Sequence, residues 1–225
     1  MTDRHWRAVI FDMDGLVLDS EPTYVQAWRA AADELGFAMP AEFWDSLSGC
    51  SGKIVTQRLQ VQCGLGFNLD KFQQLSSDYW LAHVQQHGIA VKPGFFAVLE
   101  VLAQYPLPFC LATNSALAAA QQCLAWAGLT DVFSYIVAGD MVAAAKPAPD
   151  IFLRAAAELA QLVEDCLVLE DSPTGVRAAL AAGAACIFVP SLQPVDAWAV
   201  EHADFLMDDL HQVADFISAR QHHPL

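Results

Sequence analysis

The sequence predicts an α/β protein, a doubly wound parallel sheet with a helical domain inserted after the first strand. Three observations carry this. Short apolar runs alternate along the chain with segments of helical period. Those runs are apolar at successive residues, as strands buried on both faces require. The alternation lapses once, from Ser20 to about Gly88, where nothing reads as a strand.

Strands are expected at 7–12 (RAVIFD), 109–113 (FCLAT), 135–138 (YIVA), 166–170 (CLVLE), 186–189 (CIFV) and 204–207 (DFLM). Helices are expected at 95–104, 116–127, 150–161, 173–182, 195–201 and 209–219. Within the interruption, Glu21–Leu35, Ile54–Cys63 and Asp70–Gln86 have helical period. The hinges would be LDSEP and HGIAVKPG, the second rich in turn residues. The expected division is a core domain of residues 1–19 and 89–225 and a helical cap domain of residues 20–88.

Composition narrows the function. With 55% hydrophobic and 16% charged residues in 225, the chain has ample material for a core. A net charge of −15 repels nucleic acid and anionic membranes. An anionic substrate would need positive charge built locally, and the chain has only the lysines Lys53, Lys71, Lys92 and Lys146. The six cysteines form no C-x-x-C pair and sit mostly in apolar runs, so buried, reduced thiols are expected. The seven histidines have no metal-ligand spacing. The segment MTDRHWRAVIFD has no signal-peptide apolar region, and no run is long enough to cross a bilayer. A cytoplasmic location is expected.

Ligands of doubly wound sheets bind outside the carboxyl ends of the strands. After the first strand come Asp12, Met13, Asp14 and Gly15. In extended chain the two carboxylates point the same way, which calls for a cation or a held proton. Magnesium, which takes a few carboxylate oxygens together with water and phosphate, suits such a pair. An Asx-type turn closed by Gly15 accounts for the same residues. After the second strand, Thr113, Asn114 and Ser115 precede a helix and offer an anion site, or Ser115 is simply an N-cap. The third position is Lys146, held extended by Pro147 ahead of a helix starting near Pro149 and Asp150; the alternative is a solvated loop lysine. The fourth is Glu170 and Asp171, which again suit a cation or simply favour the next helix N-terminus. Each signal alone has a bland explanation, but the four coincide in type, order and position.

Together these residues resemble the haloacid dehalogenase (HAD) superfamily of phosphotransferases. FDMDGLVLDSEP is similar to its first motif, LATNS to its second, KPAPDIF to its third and LEDSPTGVRAALAAG to its fourth. The helical insertion is similar to the cap of the branch that includes β-phosphoglucomutase and small-metabolite phosphatases. The resemblance implies a Rossmann-like core and Mg2+ as cofactor. It implies Asp12 as the nucleophile that becomes an aspartyl-phosphate, and Asp14 as the general acid and base. It gives phosphate binding to Thr113, Asn114 and Lys146. The metal would be held by Asp12, the main-chain carbonyl of Asp14, Asp171 and, directly or through water, Glu170.

Because Asp14 is present, phosphate-ester chemistry is expected rather than dehalogenation. The positions where the sugar-phosphate mutase carries a cap histidine, a cap arginine and a lysine after the second motif are here Tyr24, Gly52 and Ala116. A magnesium-dependent phosphatase of small metabolites, sugar phosphates foremost, is therefore expected, with a β-phosphoglucomutase-type mutase as the alternative. A non-catalytic binder on the same fold is the third reading, and an acid–base aspartate beside a nucleophile argues against it. Glu21, Tyr24, Ser51 and Lys53 are the substrate-specificity candidates, Ser51 and Lys53 from loop 48–53. Trp28, Trp44 and Trp80 are expected in packing. The expected partner is a small phosphorylated metabolite, with no nucleic acid and no membrane. Oligomeric state is open, with a monomer favoured.

Overall fold

A computed structural model describes residues 5–47, 52–191 and 194–221. The chain divides into two compact units, one formed by the segments up to Asp19 and from Val91 onward, the other spanning Ser20–Ala90.

The first unit holds six parallel strands in the order β3-β2-β1-β4-β5-β6. These are β1 (Ala8–Phe11), β2 (Phe109–Thr113), β3 (Ile136–Ala138), β4 (Cys166–Glu170), β5 (Ala185–Phe188) and β6 (Phe205–Leu206). The chain builds outward from β1 to β3, then crosses back to place β4 on β1's other side. The carboxyl ends of β1, β2 and β4 thus flank the point where strand order reverses, where such sheets bind ligands.

Alternation along β1 assigns its two faces. Ala8 and Ile10 join a core with Val168 and with Phe152, Ala155 and Val176, which lie on the helices α7 (Asp150–Glu158) and α8 (Pro173–Ala182). Phe11, pointing the other way, meets Phe95 of α5 (Phe95–Gln104), Phe109 and Phe133 edge-on, with centroids 5.7, 5.9 and 5.9 Å away. Each such pair adds about 0.5–1.5 kcal/mol beyond area burial. The remaining helices of this unit are α6 (Leu117–Trp126), α9 (Ala197–His202) and α10 (Leu210–Gln221).

The second unit is helical: α1 (Glu21–Glu34), α2 (Ala41–Asp45), α3 (Gly52–Cys63) and α4 (Leu69–His87). Pro22 sits in the first turn of α1, where its missing N–H costs nothing, and Asn68 caps α4 by accepting from the Lys71 N–H at 3.0 Å. Trp44, Leu47, Leu59 and Phe72 form its core with Ala31 and Ala32. The short helix α2 escapes the periodicity reading because five residues are too few to show a face. Strand and helix bounds otherwise fall within three residues of expectation, near the scatter normal for element ends.

Cys63, Cys110, Cys123, Cys166 and Cys186 are free thiols, the last four buried. Among the described residues no helix is long and apolar enough to cross a membrane.

Candidate active site

Lys146 is the centre of the site. Its Nζ lies 2.5 Å from Asp12 Oδ1, 2.6 Å from Glu170 Oε1 and 2.9 Å from the Ala112 carbonyl oxygen. That geometry fills all three of an ammonium's hydrogens. The side chain is only 3% exposed, so its charge survives there only because it is paired. Burial by itself would push its pKa down; Asp12 and Glu170 outweigh this and hold it above the ordinary lysine value.

Two side chains distant from Lys146 in sequence fix that ammonium and its Glu170 partner in place. The Asn114 side chain clamps the Lys146 backbone, accepting from its N–H at 2.9 Å and donating to its carbonyl at 3.3 Å. Asn114 thus holds the lysine loop with its amide, a use that an asparagine after a strand does not announce in sequence. The Ser172 N–H and hydroxyl both donate to Glu170 Oε2, at 3.2 and 3.0 Å. The hydroxyl also caps α8 through the Gly175 N–H. A Cβ at Gly175 would come within 1.8 Å of the Glu170 carboxyl group, so only glycine lets α8 pass this close.

Asp12, Glu170 and Asp171 are all buried, and one carboxylate oxygen from each lies within 4.8 Å of the others. One ammonium, bonded to Asp12 and Glu170, thus faces three clustered carboxylates. The imbalance appears at Asp12, whose pKa is raised from 3.8 to about 8. Burial is the main cause, Lys146 opposes it, and the charges of Glu170 and Asp14 add to it. A site short of positive charge, built from hard oxygen donors, fits a divalent cation such as Mg2+. Gly15 lies against this cluster with φ +85°, and a Cβ there would approach Asp171 Oδ2 to 2.0 Å. Ser191, just beyond β5, donates to the same Oδ2 at 2.6 Å. Inspecting a fifth strand end would have found it.

Asp14 stands next to the cluster, and the Ser115 hydroxyl donates to its Oδ2 at 3.4 Å. Ser115 is therefore not the N-cap of α6. That position belongs to Ala116, and Asp140 accepts from the Leu117 N–H at 3.0 Å instead. Thr113, buried at the end of β2, accepts from the Ser115 N–H at 3.1 Å, leaving its hydroxyl hydrogen free to donate.

The specificity candidates belong to the helical unit. Glu21 and Tyr24 lie in the first turn of α1, and Tyr24 stacks on Trp80 and Trp28. Lys53 is in the first turn of α3. Ser51 and most of loop 48–53 lie outside the described residues. Trp44 is buried in the unit's core, as expected of a packing residue, whereas Trp28 and Trp80 also line a cavity.

With this geometry in hand, the relatives identify the class. The model of the haloacid dehalogenase-like hydrolase family matches residues 6–183. The chain is 30% identical over 186 residues to the fructose-1-phosphate phosphatase YqaB of Escherichia coli, covering 79% of this chain and 93% of that protein. It is 30% identical over 176 residues to the phosphorylated carbohydrates phosphatase of Thermotoga maritima, covering 78% and 81%. The crystal structure of a HAD family hydrolase from Deinococcus radiodurans with bound phosphate and sodium superposes with a TM-score of 0.81. That match has 28% identity and covers 96% of each chain. The chain belongs to the haloacid dehalogenase-like hydrolase family.

Proposed function

We propose that the chain is a magnesium-dependent phosphatase that hydrolyses phosphate monoesters of small metabolites, sugar phosphates foremost, through an aspartyl-phosphate at Asp12. One observation carries the reading: Lys146 joins Asp12 and Glu170 at the strand-order switch, in a carboxylate cluster one cation short. The relatives named above as phosphatases of fructose 1-phosphate and of phosphorylated carbohydrates support the substrate class.

In this reading an Asp12 oxygen attacks phosphorus in line while Asp14 gives its proton to the departing ester oxygen. Asp14, now a carboxylate, takes a proton from water. The resulting hydroxide attacks phosphorus, freeing inorganic phosphate and restoring the Asp12 carboxylate. The Ser115 hydroxyl fixes Asp14, and Lys146 favours the Asp12 carboxylate against burial and offsets charge on the phosphoryl oxygens. The Thr113 hydroxyl and the Asn114 N–H donate to those oxygens. Asp12, the Asp14 carbonyl and Asp171 would hold Mg2+, with Glu170, whose oxygens already serve Lys146 and Ser172, reaching it through water. Magnesium supplies positive charge against the phosphoryl group and makes the phosphorus more electrophilic. The reading takes the helical unit as a specificity cap and the protein as cytoplasmic, where reduced thiols persist.

The mutase alternative needs cations for a second phosphate, and Tyr24, Gly52 and Ala116 supply none. The test is Asp12→Asn, which leaves an amide of the same shape. Turnover is expected to fall by about 10⁴-fold or more while the thermal melt is kept or raised. An Asp12→Asn variant with wild-type turnover would overturn the reading.

A further inference from the structure

The helical unit holds a cavity of about 550 Å³, lined by Tyr24, Trp28, Val55, Phe72, Ser76 and Trp80 among others. Three of its rings form one row. Tyr24 lies parallel to Trp80, with centroids 5.2 Å apart and planes 5° from each other. It also stacks on Trp28, one turn further along α1, at 6.2 Å and 22°. The row is braced: the Trp80 indole N–H donates to Thr23 Oγ1 at 3.0 Å, and that hydroxyl donates to the Ser20 carbonyl at 2.5 Å. Rings held this way, and only partly buried, offer stacking area that needs no reordering on binding.

A second observation is independent of the rings. Ser76, one turn before Trp80 on α4, is 8% exposed, and its hydroxyl has no hydrogen-bond partner among the described residues. Buried hydroxyls are ordinarily paired, and an unpaired one on a cavity wall marks a place for a ligand's polar group. Among the described residues, Ser76 is also the only buried polar side chain lining the cavity. The cavity's other polar lining side chains besides the rings, Thr56, Gln73 and Ser77, are partly or fully exposed. Among the described residues no Asp, Glu, Lys, Arg or His lines it, so a charged group would be desolvated against them without compensation.

We propose that this cavity binds an uncharged, flat, ring-bearing small molecule, its ring stacked on the Tyr24, Trp28 and Trp80 row and its polar substituent paired with Ser76. Two sources share this chemistry: the ring end of a phosphorylated substrate, and a free ring compound that is not turned over. The first source rests on the proposed phosphatase function; ring binding itself does not.

The test is calorimetric titration of the full chain with 2-naphthol, using cyclohexanol as a non-planar control. Saturable one-to-one binding is expected, about tenfold tighter than for cyclohexanol and weakened about tenfold by Trp80→Leu, the scale of one lost stacking contact. Ser76→Ala, which removes one oxygen and keeps the packing, is expected to weaken it about fivefold and keeps the test decisive should Trp80→Leu misfold. No saturable binding, or equal binding by the wild type and Ser76→Ala, would overturn the proposal. Hydrolysis of 2-naphthyl phosphate then assigns the source. A KM raised by Trp80→Leu places the ring on the substrate. Unchanged KM, with 2-naphthol bound but not competing, assigns a free compound. Ring binding by a protein that hydrolyses no ester would sink the phosphatase reading and leave this one standing.

Discussion

Lys146 shows how one residue can carry both folding and function. With its ammonium gone, Asp12 and Glu170 would be buried without a partner, and breaking such a pair costs about 3–5 kcal/mol. Lys146→Met is therefore expected to lower the denaturation midpoint substantially as well as abolish turnover; an unchanged midpoint in urea would contradict the pairing. Asp12 makes a pH prediction. Its folded-state pKa, about 8, lies above the ordinary carboxylate value, so between roughly pH 4 and 8 the folded protein holds a proton that the unfolded chain has lost. Without metal, this residue's contribution to stability falls as pH rises through that window. Mg2+ must displace the same proton, so its affinity is expected to rise about tenfold per pH unit from 6 to 8, measurable by Mg2+ titration of the thermal midpoint. Affinity that is flat across that range would refute it. At this scale Asp12, Asp14, Lys146, Glu170 and Asp171 were legible because strand ends are where a parallel sheet puts its chemistry. The Asn114 clamp was not, since it depends on which loop meets which in space, whereas Ser191 lay past a strand end left uninspected.

Helix α8 shows how an element is tuned at both ends. Its N-terminus starts on Ser172 and Pro173 and passes Gly175 against Glu170, while its C-terminus ends on Gly183 at φ +86° with open space around the missing Cβ. Gly183→Ala meets only the left-handed backbone penalty, about 1–2 kcal/mol. Gly175→Ala has ordinary backbone angles but drives a methyl group into the Glu170 carboxyl, which has no room to give. Its expected signature is a fall in kcat of about tenfold or more, because Lys146 and Asp12 shift with Glu170. Gly183→Ala should lose stability and keep kcat. Equal kcat in the two variants would show that Glu170 does not position the site. SPTG was readable as a helix start; the tight fit behind Gly175 was not, because a glycine in a helix sequence does not name its neighbour. The Asp140 cap on α6 was hidden likewise, being supplied from the far side of β3.

For the molecule as a whole, the alternation of apolar runs with helical period, and its single lapse, was enough to read the doubly wound sheet and the helical insertion. Both signals are local and repeat many times, so single errors average out. The ring-lined cavity was not readable, since Tyr24 and Trp28 share a face of α1 in sequence but Trp80 joins them only through packing of α4. A net charge of −15 sets the remaining problem, how so acidic a protein takes an anionic substrate. In the proposed reading, Lys146 and a divalent cation at the carboxylate cluster supply the positive charge it needs. The most direct measurement is the rate of phosphate release from a broad panel of phosphorylated metabolites, with Mg2+ and with chelator. Release from a narrow set of esters, abolished by chelator and restored by Mg2+, is the predicted result. Release that is indifferent to chelator, or none from any ester, would contradict the account.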